Sequence, residues 1–286
     1  MSDQLQPFFA DVQAHYDLSD EFYQLFLDPT RTYSCAYFRE PEMSLEEAQL
    51  AKVELSLGKC DLQAGQTLLD IGCGWGTTAL RAAQDHKVNV IGLTLSQNQQ
   101  KFASARHVPK DTQIEFRLQG WEQFADSVDR IISIGAFEHF RFERHEAFFS
   151  KCRRLLPADG TMLLHTIVLS SYQNLKKLRI EIGPEDVAFA KFIRSEIFPG
   201  GQLCPPERIE DFTREAGFTV AHTESLGPHY ARTLDCWSEN LKARQDEAVC
   251  LTSNEVYERY MKYLTGCADF FRKGNIDVMQ FRLACA

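Results

Sequence analysis

The sequence predicts an α/β fold, a seven-stranded and mostly parallel sheet with helices on both faces. Short apolar runs alternate with helix-like segments through the middle of the chain, and this alternation is typical of parallel sheets covered by helices. A glycine-rich turn joins the first apolar run to the next helix-like segment. The last apolar run follows its predecessor with only helices between them, so we expect that strand to insert antiparallel.

Seven segments have the length and apolar content of buried strands. Helix patterns near 77–86, 96–107 and 143–156 separate the first five, and a Pro/Gly stop in "LLPADG" ends the third helix. The helix pattern "PERIEDFTREAG" precedes the sixth strand, and a longer helix at about 253–272 precedes the seventh. The predicted strands span 67–71, 88–93, 113–118, 130–134, 161–168, 218–226 and 276–285.

Two segments lie outside this alternation, within a single predicted domain of residues 1–286. Residues 1–60 carry apolar and aromatic residues at helical spacing, which predicts an N-terminal helical cap. Residues 169–204 are an insertion after the fifth strand. Ligands of open α/β sheets bind beyond the carboxyl ends of the strands, so we expect the insertion to form a substrate lid. The residues at helical spacing are Phe8, Val12, His15, Tyr16, Phe22, Leu25 and Phe26.

Composition excludes several classes of function. The chain has 31 basic and 40 acidic side chains and a net charge of −9, so a nucleic-acid partner, which needs a broad basic face, is not expected. Its nine cysteines include no C-x-x-C pair, which argues against a metal site and a secreted disulfide framework. The chain has neither a signal pattern nor an apolar run of membrane-spanning length. We therefore expect a soluble, cytoplasmic protein.

The turn "TLLDIGCGWGTTALRAA" has glycines at Gly72, Gly74 and Gly76. A dinucleotide-binding turn would have its third glycine at position 77, where this chain has Thr77. Asp70 ends the strand, and the glycines let the backbone pass close to a ligand. This pattern favours a nucleoside with an amino-acid tail and no pyrophosphate. The alternative is a tight turn that binds nothing.

Several motifs resemble one known family. "LLDIGCGWG" resembles motif I of S-adenosylmethionine (SAM)-dependent methyltransferases, although "GLTLSQNQ" lacks the acid that most of them place after the second strand. Together with "TYSCAYF", "WEQF" and "SIGAFEHF", the chain resembles cyclopropane fatty-acid synthases, most closely the mycolic acid cyclopropane synthases and methyltransferases. The resemblance extends through "VQAHYDLSDEFYQLFLD", "IFPGG", "PHYARTLDCW" and "EVYERYMKYLTGCADFFRKGNIDVMQF". It implies a Rossmann-like SAM-methyltransferase sheet.

The resemblance also implies the residues that bind SAM. Among them, Gln99 replaces the missing acid, since its amide bonds both ribose hydroxyls. Trp121 and Ile134 offer apolar faces to the adenine, although Trp121 would also suit the core. The implied positions are Tyr33, Ser34, Leu68, Leu69, Asp70, Ile71, Gly72, Cys73, Gly74, Trp75, Gly76, Thr94, Leu95, Ser96, Gln97, Asn98, Gln99, Trp121, Glu122 and Ile134.

The implied reaction is methylation of an alkene, which leaves a carbocation in an acyl chain. Such a site must be dry, apolar and rich in aromatic faces, because water would quench the cation. A base then removes a proton from the new methyl group, and in such families the base is a bound bicarbonate ion. Alternatives are that His165 is a core histidine and that Glu138 caps a helix. The implied bicarbonate ligands are Cys35 through its backbone N–H, Glu138, His165, Ile167 through its backbone, and Tyr230.

Three further positions are compared with the family pattern. Cys267 in "YLTGCA" is a family-based candidate for a nucleophile, but it shares a helical stripe with aromatic residues, so a packed core cysteine is the alternative. Arg141 and His145 stand where the pattern has Gly and Tyr. Residues 169–187 also diverge from the typical insertion. Either departure can alter product choice or weaken activity.

The resemblance implies a very long unsaturated acyl substrate on an acyl carrier protein. Carrier proteins are acidic, so Lys176, Lys177 and Arg179 on the expected lid are a candidate docking patch, with a solvated helix face as the alternative. A peripheral contact with lipid is also expected. The product stays open between a cyclopropane, a methyl branch and a hydroxylated methyl branch. Two other functions stay open, a methyltransferase for a small N or O nucleophile and a lipid- or SAM-binding paralogue without turnover.

Overall fold

One mixed sheet of seven strands organises the computed structural model, which describes residues 5–7, 19–108 and 110–286. The strand order is β3-β2-β1-β4-β5-β7-β6, and β7 runs antiparallel to both of its neighbours. Each predicted strand end lies within one residue of the observed one, and the predicted α/β fold is confirmed. The strands are β1 Thr67–Ile71, β2 Asn89–Thr94, β3 Ile114–Leu118, β4 Arg130–Ile134, β5 Thr161–Leu169, β6 Phe218–Ser225 and β7 Ile276–Cys285.

Helices cover both faces of the sheet and extend beyond its carboxyl edge. The longer ones start and stop at residues suited to those positions. Ser44 and Glu47 form a capping box at the start of α2, and Gly274 ends α11 in a left-handed conformation. The helices are α1 Asp20–Gln24, α2 Leu45–Gly58, α3 Thr77–His86, α4 Gln97–Ser104, α5 Phe142–Leu155, α6 Tyr172–Leu178, α7 Pro184–Phe192, α8 Pro206–Glu215, α9 Gly227–Ala243, α10 Gln245–Leu251 and α11 Asn254–Lys273, with a 3-10 turn at Phe137–His139 and a π turn at Ile193–Ile197.

Alternate residues of the central strands enter two different cores. Leu69 and Ile131 pack with α5 on one face of the sheet, whereas Leu68 and Ile132 pack with α3 on the other. Because both faces are covered, these strands are almost continuously apolar. This property made them recognisable in the sequence.

An aromatic core lies beside the sheet, between α1, α9 and α11. Phe22 and Phe26 of the predicted N-terminal stripe enter it, and Tyr260 stacks edge-on to Phe22 at 4.9 Å. The predicted helical positions Phe8, Val12, His15 and Tyr16 lie outside the described residues. In the part of the chain that the structure describes, no helix is long and apolar enough to span a bilayer.

Candidate active site

Two cavities lie side by side at the carboxyl ends of the parallel strands. The first has a volume of about 140 Å³ and is lined by the glycine turn after β1 and by the ends of β2 and β4. The second has a volume of about 390 Å³ and lies between β5, α7, α9 and α11. Tyr33, Gly135 and His139 line both cavities. A ligand in the first cavity therefore meets a ligand in the second at these three residues.

The glycine turn forms one wall of the first cavity. Gly72 has a φ of +82°, and a Cβ there would lie 2.5 Å from the Cβ of Ala136, so a side chain cannot be accommodated. Gly74 also has a positive φ, but a Cβ there would meet no atom within 4 Å. Gly74 lines the cavity, and its open side leaves the backbone accessible to a ligand.

Most of the cofactor positions that the resemblance implies line the first cavity. They come from five separate parts of the chain, which the fold brings together at the carboxyl ends of the strands. Those that line it are Tyr33, Ser34, Asp70, Ile71, Gly72, Cys73, Gly74, Trp75, Thr94, Leu95, Gln99, Trp121, Glu122 and Ile134.

Six implied cofactor positions are not part of this lining, for different local reasons. Leu68 and Leu69 point into the two cores of the sheet. Gly76 packs against the Phe116 ring. The Ser96 hydroxyl caps α4 by accepting from the backbone N–H of Gln99, at 3.2 Å. The other two, Gln97 and Asn98, lie in the first turn of α4, where Gln97 is exposed and Asn98 half-buried.

Hydrogen bonds from neighbouring residues orient two polar side chains of the first cavity, Gln99 and Glu122. The Gln99 oxygen accepts from the Thr94 hydroxyl at 2.8 Å, which fixes the orientation of its amide. Glu122 Oε1 accepts from Arg144 at 2.7 Å. Glu122 Oε2 is buried and has no hydrogen-bond donor among the described residues. Burial raises the pKa of Glu122.

A lysine that the motifs did not indicate also lines the first cavity. Lys52 has no solvent-exposed surface, and its Nζ donates to the Ser34 hydroxyl at 2.8 Å. The sequence carried a weak signal for it, because Ala48, Lys52 and Ser56 form one buried stripe of α2. Other lining residues outside the motif-based assignment are Arg31, Thr32, Thr77, Thr78, Leu93, Gln119, Gly120, Gly135, Ala136, His139 and Phe140.

The second cavity is walled mainly by aromatic and aliphatic side chains, and its polar lining residues include Glu138, Arg194 and Gln202. His139 lies at its junction with the first cavity, and burial lowers the pKa of this histidine to about 4, so the imidazole is neutral at pH 7. Tyr33 donates to the Tyr263 hydroxyl at 3.2 Å. The aromatic lining residues are Tyr33, Phe142, Phe189, Phe198, Tyr230, Tyr263, Phe270 and Phe271.

Glu138 brings a carboxyl group to this apolar wall. Its Oε1 accepts from the backbone N–H of Ile167 at 2.6 Å. Its Oε2 is buried without a donor in the described part of the chain. Burial raises the pKa of Glu138 to about 7, so this carboxyl exchanges a proton near neutral pH. Both Glu138 and Ile167 line the second cavity.

His165 lies directly behind this wall, on the same face of β5 as Ile167. It is buried and lines neither cavity. Its Nδ1 lies 3.1 Å from the amide nitrogen of Gln280, and its Nε2 has no partner among residues 5–7, 19–108 and 110–286. Burial lowers its pKa well below the ordinary value, so the ring is neutral.

The remaining candidate catalytic residues are placed differently. Tyr230 lines the second cavity and stacks on Phe271 at 4.8 Å. Cys35 is fully buried, lines neither cavity and donates from Sγ to the carbonyl of Ala36. Cys267 lines the second cavity, and burial raises the pKa of its thiol to about 12. At neutral pH this thiol is protonated and is therefore a poor nucleophile.

The two positions that depart from the family pattern are not lining residues. Arg141 precedes α5 with a φ of −79°, which any residue adopts, and its side chain does not line either cavity. His145 is buried and stacks on Phe137 with ring centroids 4.2 Å apart. The charged side chain of Arg141 therefore lines neither cavity, although Arg141 follows Glu138 by only three positions in the sequence.

The insertion 169–204 supplies one side of the second cavity. Phe189 lines it from α7, Ile193 from the π turn and Phe198 from the position just after that turn. Lys176, Lys177 and Arg179 are exposed at the end of α6. Several large apolar side chains are exposed on or beside the insertion, at Phe142, Leu169, Leu178, Ile182 and Val187.

Comparisons with known proteins agree on one family. A family model described as mycolic acid cyclopropane synthetase matches residues 3–281. Cyclopropane mycolic acid synthase 1 of Mycobacterium tuberculosis is 55% identical over 286 residues, covering 98% of this chain and 99% of that protein. The structure of the cyclopropane synthase MmaA2 from Mycobacterium tuberculosis superposes with a TM-score of 0.95, at 54% identity, over 98% of this chain and 99% of that one. The mycolic acid cyclopropane synthase CmaA1, complexed with SAH and CTAB, gives a TM-score of 0.93 at 54% identity, over 99% and 100%.

Proposed function

The chain belongs to the mycolic acid cyclopropane synthetase family and is a SAM-dependent methyltransferase, and on this basis we propose that it methylates carbon–carbon double bonds in very long acyl chains, as in mycolic acid precursors. The proposed product is a cyclopropane or a methyl branch. One observation carries the proposal. A cavity built around the glycine turn adjoins a larger, aromatic-walled cavity at Tyr33, Gly135 and His139.

We propose that SAM binds in the first cavity. The open side of Gly74 accommodates close approach of the ligand, and the Gln99 amide retains donors for the ribose hydroxyls. Glu122 Oε2, buried without a described donor, is suited to accept from an amino group of the adenine. SAM, when bound, supplies the methyl group on a positively charged sulfur.

The second cavity is suited to stabilise a carbocation in the acyl chain. Tyr33, Tyr230 and Tyr263 contribute aromatic rings to its lining, and aromatic rings attract a cation in a desolvated site. The neutral His139 at the junction adds no positive charge against it. The apolar wall excludes the water that would otherwise capture the cation.

A proton must then leave the new methyl group if the ring is to close. Glu138 Oε2 and His165 Nε2 are both buried without described partners, and such groups in a native protein call for a polar ligand or water. We propose that Glu138, His165, the backbone of Ile167, the backbone N–H of Cys35 and Tyr230 hold a bicarbonate ion, which supplies a base. Because the pKa of Glu138 is near 7, this carboxyl can share a proton with the anion instead of repelling it.

We further propose that the acyl chain is delivered by an acyl carrier protein. Lys176, Lys177 and Arg179 form an exposed basic patch on the insertion that lines the second cavity. Carrier proteins are acidic, so this patch complements them in charge.

Methylation of a small N or O nucleophile is the alternative reaction. It would favour a small and polar acceptor site, whereas the second cavity is the larger of the two and is mostly aromatic and aliphatic. A paralogue without turnover is the second alternative. It would retain SAM binding and form no product.

The test is incubation with SAM carrying a trideuterated methyl group and a long unsaturated acyl carrier substrate, followed by mass spectrometry of the acyl chain. A cyclopropane retains two of the three deuterium atoms, because one leaves as the proton removed in ring closure. A hydroxylated methyl branch retains all three. Label on a nitrogen or oxygen of a small acceptor, or no labelled product, would contradict the proposal.

A further inference from the structure

Lys52 is a buried cation that forms no direct ion pair with any carboxylate of the described residues. Its ammonium donates to the Ser34 hydroxyl, which is neutral. No carboxylate of residues 5–7, 19–108 and 110–286 forms an ion pair with it. A buried charge without an opposite charge is strongly unfavourable. Lys52 lines the first cavity, so a ligand there is in a position to supply the missing anion.

An acidic group lines the same cavity close to Lys52. Asp70, at the end of β1, is 2% exposed, and its Oδ2 has no donor among the described residues. Burial raises the pKa of Asp70 to about 7, and the charge of Lys52 acts against this rise, so the two side chains interact electrostatically without a direct ion pair. An ammonium group bound next to Asp70 would favour its ionised form. Arg31 and Glu122 also line the cavity, but Arg31 pairs with Asp20 and Glu122 with Arg144. Lys52 and Asp70 are therefore the ammonium and the carboxyl of this lining that form no direct ion pair among the described residues, and they match the two charges of a zwitterion.

The methionine portion of SAM is a zwitterion, with an α-carboxylate and an α-ammonium group. We propose that Lys52, together with the Ser34 hydroxyl, is the receptor for the α-carboxylate of SAM. Asp70 attracts the α-ammonium and so sets the orientation of the tail. The assignment rests on SAM as the cofactor and is independent of the acyl substrate and of the bicarbonate ion.

The surroundings of Lys52 keep its ammonium group protonated at neutral pH. Burial lowers the pKa of its ammonium to about 8, while Cys35, Asp28 and Asp70 act in the opposite direction. The lysine is therefore charged at neutral pH. A carboxylate bound next to it would favour the charged form further.

Calorimetric titration of three ligands tests the assignment. The ligands are SAM, S-adenosylhomocysteine and decarboxylated SAM, which lacks only the α-carboxylate. In Lys52→Met, the Kd for SAM and for S-adenosylhomocysteine should rise about 10–100-fold, as expected for loss of a charge-assisted hydrogen bond. The Kd for decarboxylated SAM should change by less than about threefold. Lys242→Met, which removes an exposed charge on α9, should bind all three as the wild type does.

Two outcomes would overturn the assignment. Unchanged SAM affinity in Lys52→Met would show that the lysine does not contact the carboxylate. An equal loss for SAM and decarboxylated SAM would show a structural role. Lys52→Gln, which keeps a hydrogen-bond donor without the charge, provides a second variant if the methionine variant does not fold. Because the measurement involves no acyl substrate, its result does not depend on which reaction the protein catalyses.

Discussion

The side-chain amide of Gln280 donates to Nδ1 of His165 across 3.1 Å, and this contact sets the tautomer of the imidazole. Lys59 donates to the Gln280 oxygen. Because an ammonium can only donate, the amide oxygen faces Lys59 and the amide nitrogen faces His165. Nδ1 must then accept, so the neutral ring carries its proton on Nε2. An Nε2–H donor is what a bound anion requires.

Gln280→Glu should therefore impair the reaction through the tautomer of His165. A carboxylate at position 280 accepts from Nδ1–H, so the proton leaves Nε2 and its lone pair repels the anion. By analogy with other catalytic histidines held in the wrong tautomer, we expect a fall in kcat of about a hundredfold or more. The measurements are kcat as a function of bicarbonate and the ring ¹⁵N shifts of His165.

The control for this variant is Glu224→Gln. Glu224 is the other acceptor of the Lys59 ammonium, so this change alters the lysine's surroundings and leaves Gln280 in place. It should retain the tautomer and most of the activity. An unchanged tautomer in Gln280→Glu would show that residue 280 does not set the tautomer of His165. An unchanged kcat would show that the contact does not matter for the reaction.

Glu138→Ala and His165→Ala should separate turnover from cofactor binding. Glu138 lines the second cavity and His165 lies behind it, and neither lines the first. We expect product formation to be abolished in both variants while the Kd for SAM changes little. Turnover by labelled SAM and binding by calorimetry are the measurements. Loss of SAM binding in both would contradict the proposed roles.

Glu138 should also make the protein less stable as the pH rises. Burial raises the pKa of its carboxyl from 4.5 to about 7, so between these values the folded state holds a proton that the unfolded state releases. The stabilising contribution is complete below pH 4.5 and is lost as the pH rises toward 7. Glu138→Gln removes this loss and should exceed the wild type in free energy of unfolding at pH 8, by up to about 3 kcal/mol.

Urea unfolding at pH 5 and pH 8 checks this expectation. The difference between variant and wild type should shrink toward pH 5, because the wild-type carboxyl is then protonated when folded. Glu146→Gln, at an exposed position of α5, should show no such pH dependence. An equal difference at both pH values would mean that Glu138 is not buried in its protonated form.

The sheet was largely predictable because its strands are buried on both faces. Continuous apolar runs such as "TLLDI" end at glycine or polar residues, so each strand end could be placed within one residue. The helix Gly227–Ala243 is not evident from the sequence, because polar residues interrupt the apolar spacing of its "PHYARTLDCW" segment.

The candidate site was predictable where its residues lie in motifs and not where packing alone brings them in. Glu138 and Tyr230 belong to quoted motifs, and both line the second cavity. His139 is in the same motif as Glu138, but its position between two cavities depends on the turn after β4. Lys52 lies on a separate helix, and only the packing of α2 against Ser34 places it at the first cavity.

Cys267 should be dispensable for the reaction. Burial raises the pKa of its thiol to about 12, so almost no thiolate exists at neutral pH, and alkene methylation needs no thiol nucleophile. Cys267→Ala should therefore keep nearly wild-type kcat. Cys267→Trp should fill the second cavity and raise KM for long acyl chains. Replacement of the exposed Cys250 by the same residues is the control. A fall of about a thousandfold or more in Cys267→Ala, as loss of a nucleophile produces, would contradict this view.

Reversing the charges of Lys176 and Lys177 to glutamate should weaken docking of an acidic carrier protein. Both lysines are exposed on α6, so their contribution is a long-range attraction that salt screens. We expect KM for the carrier-bound substrate to rise about tenfold at low salt and the effect to shrink as salt is added. KM for the same acyl chain without carrier should stay constant, as should both values in Lys242→Glu. An unchanged KM for the carrier-bound substrate would mean that the basic patch is only a solvated helix face.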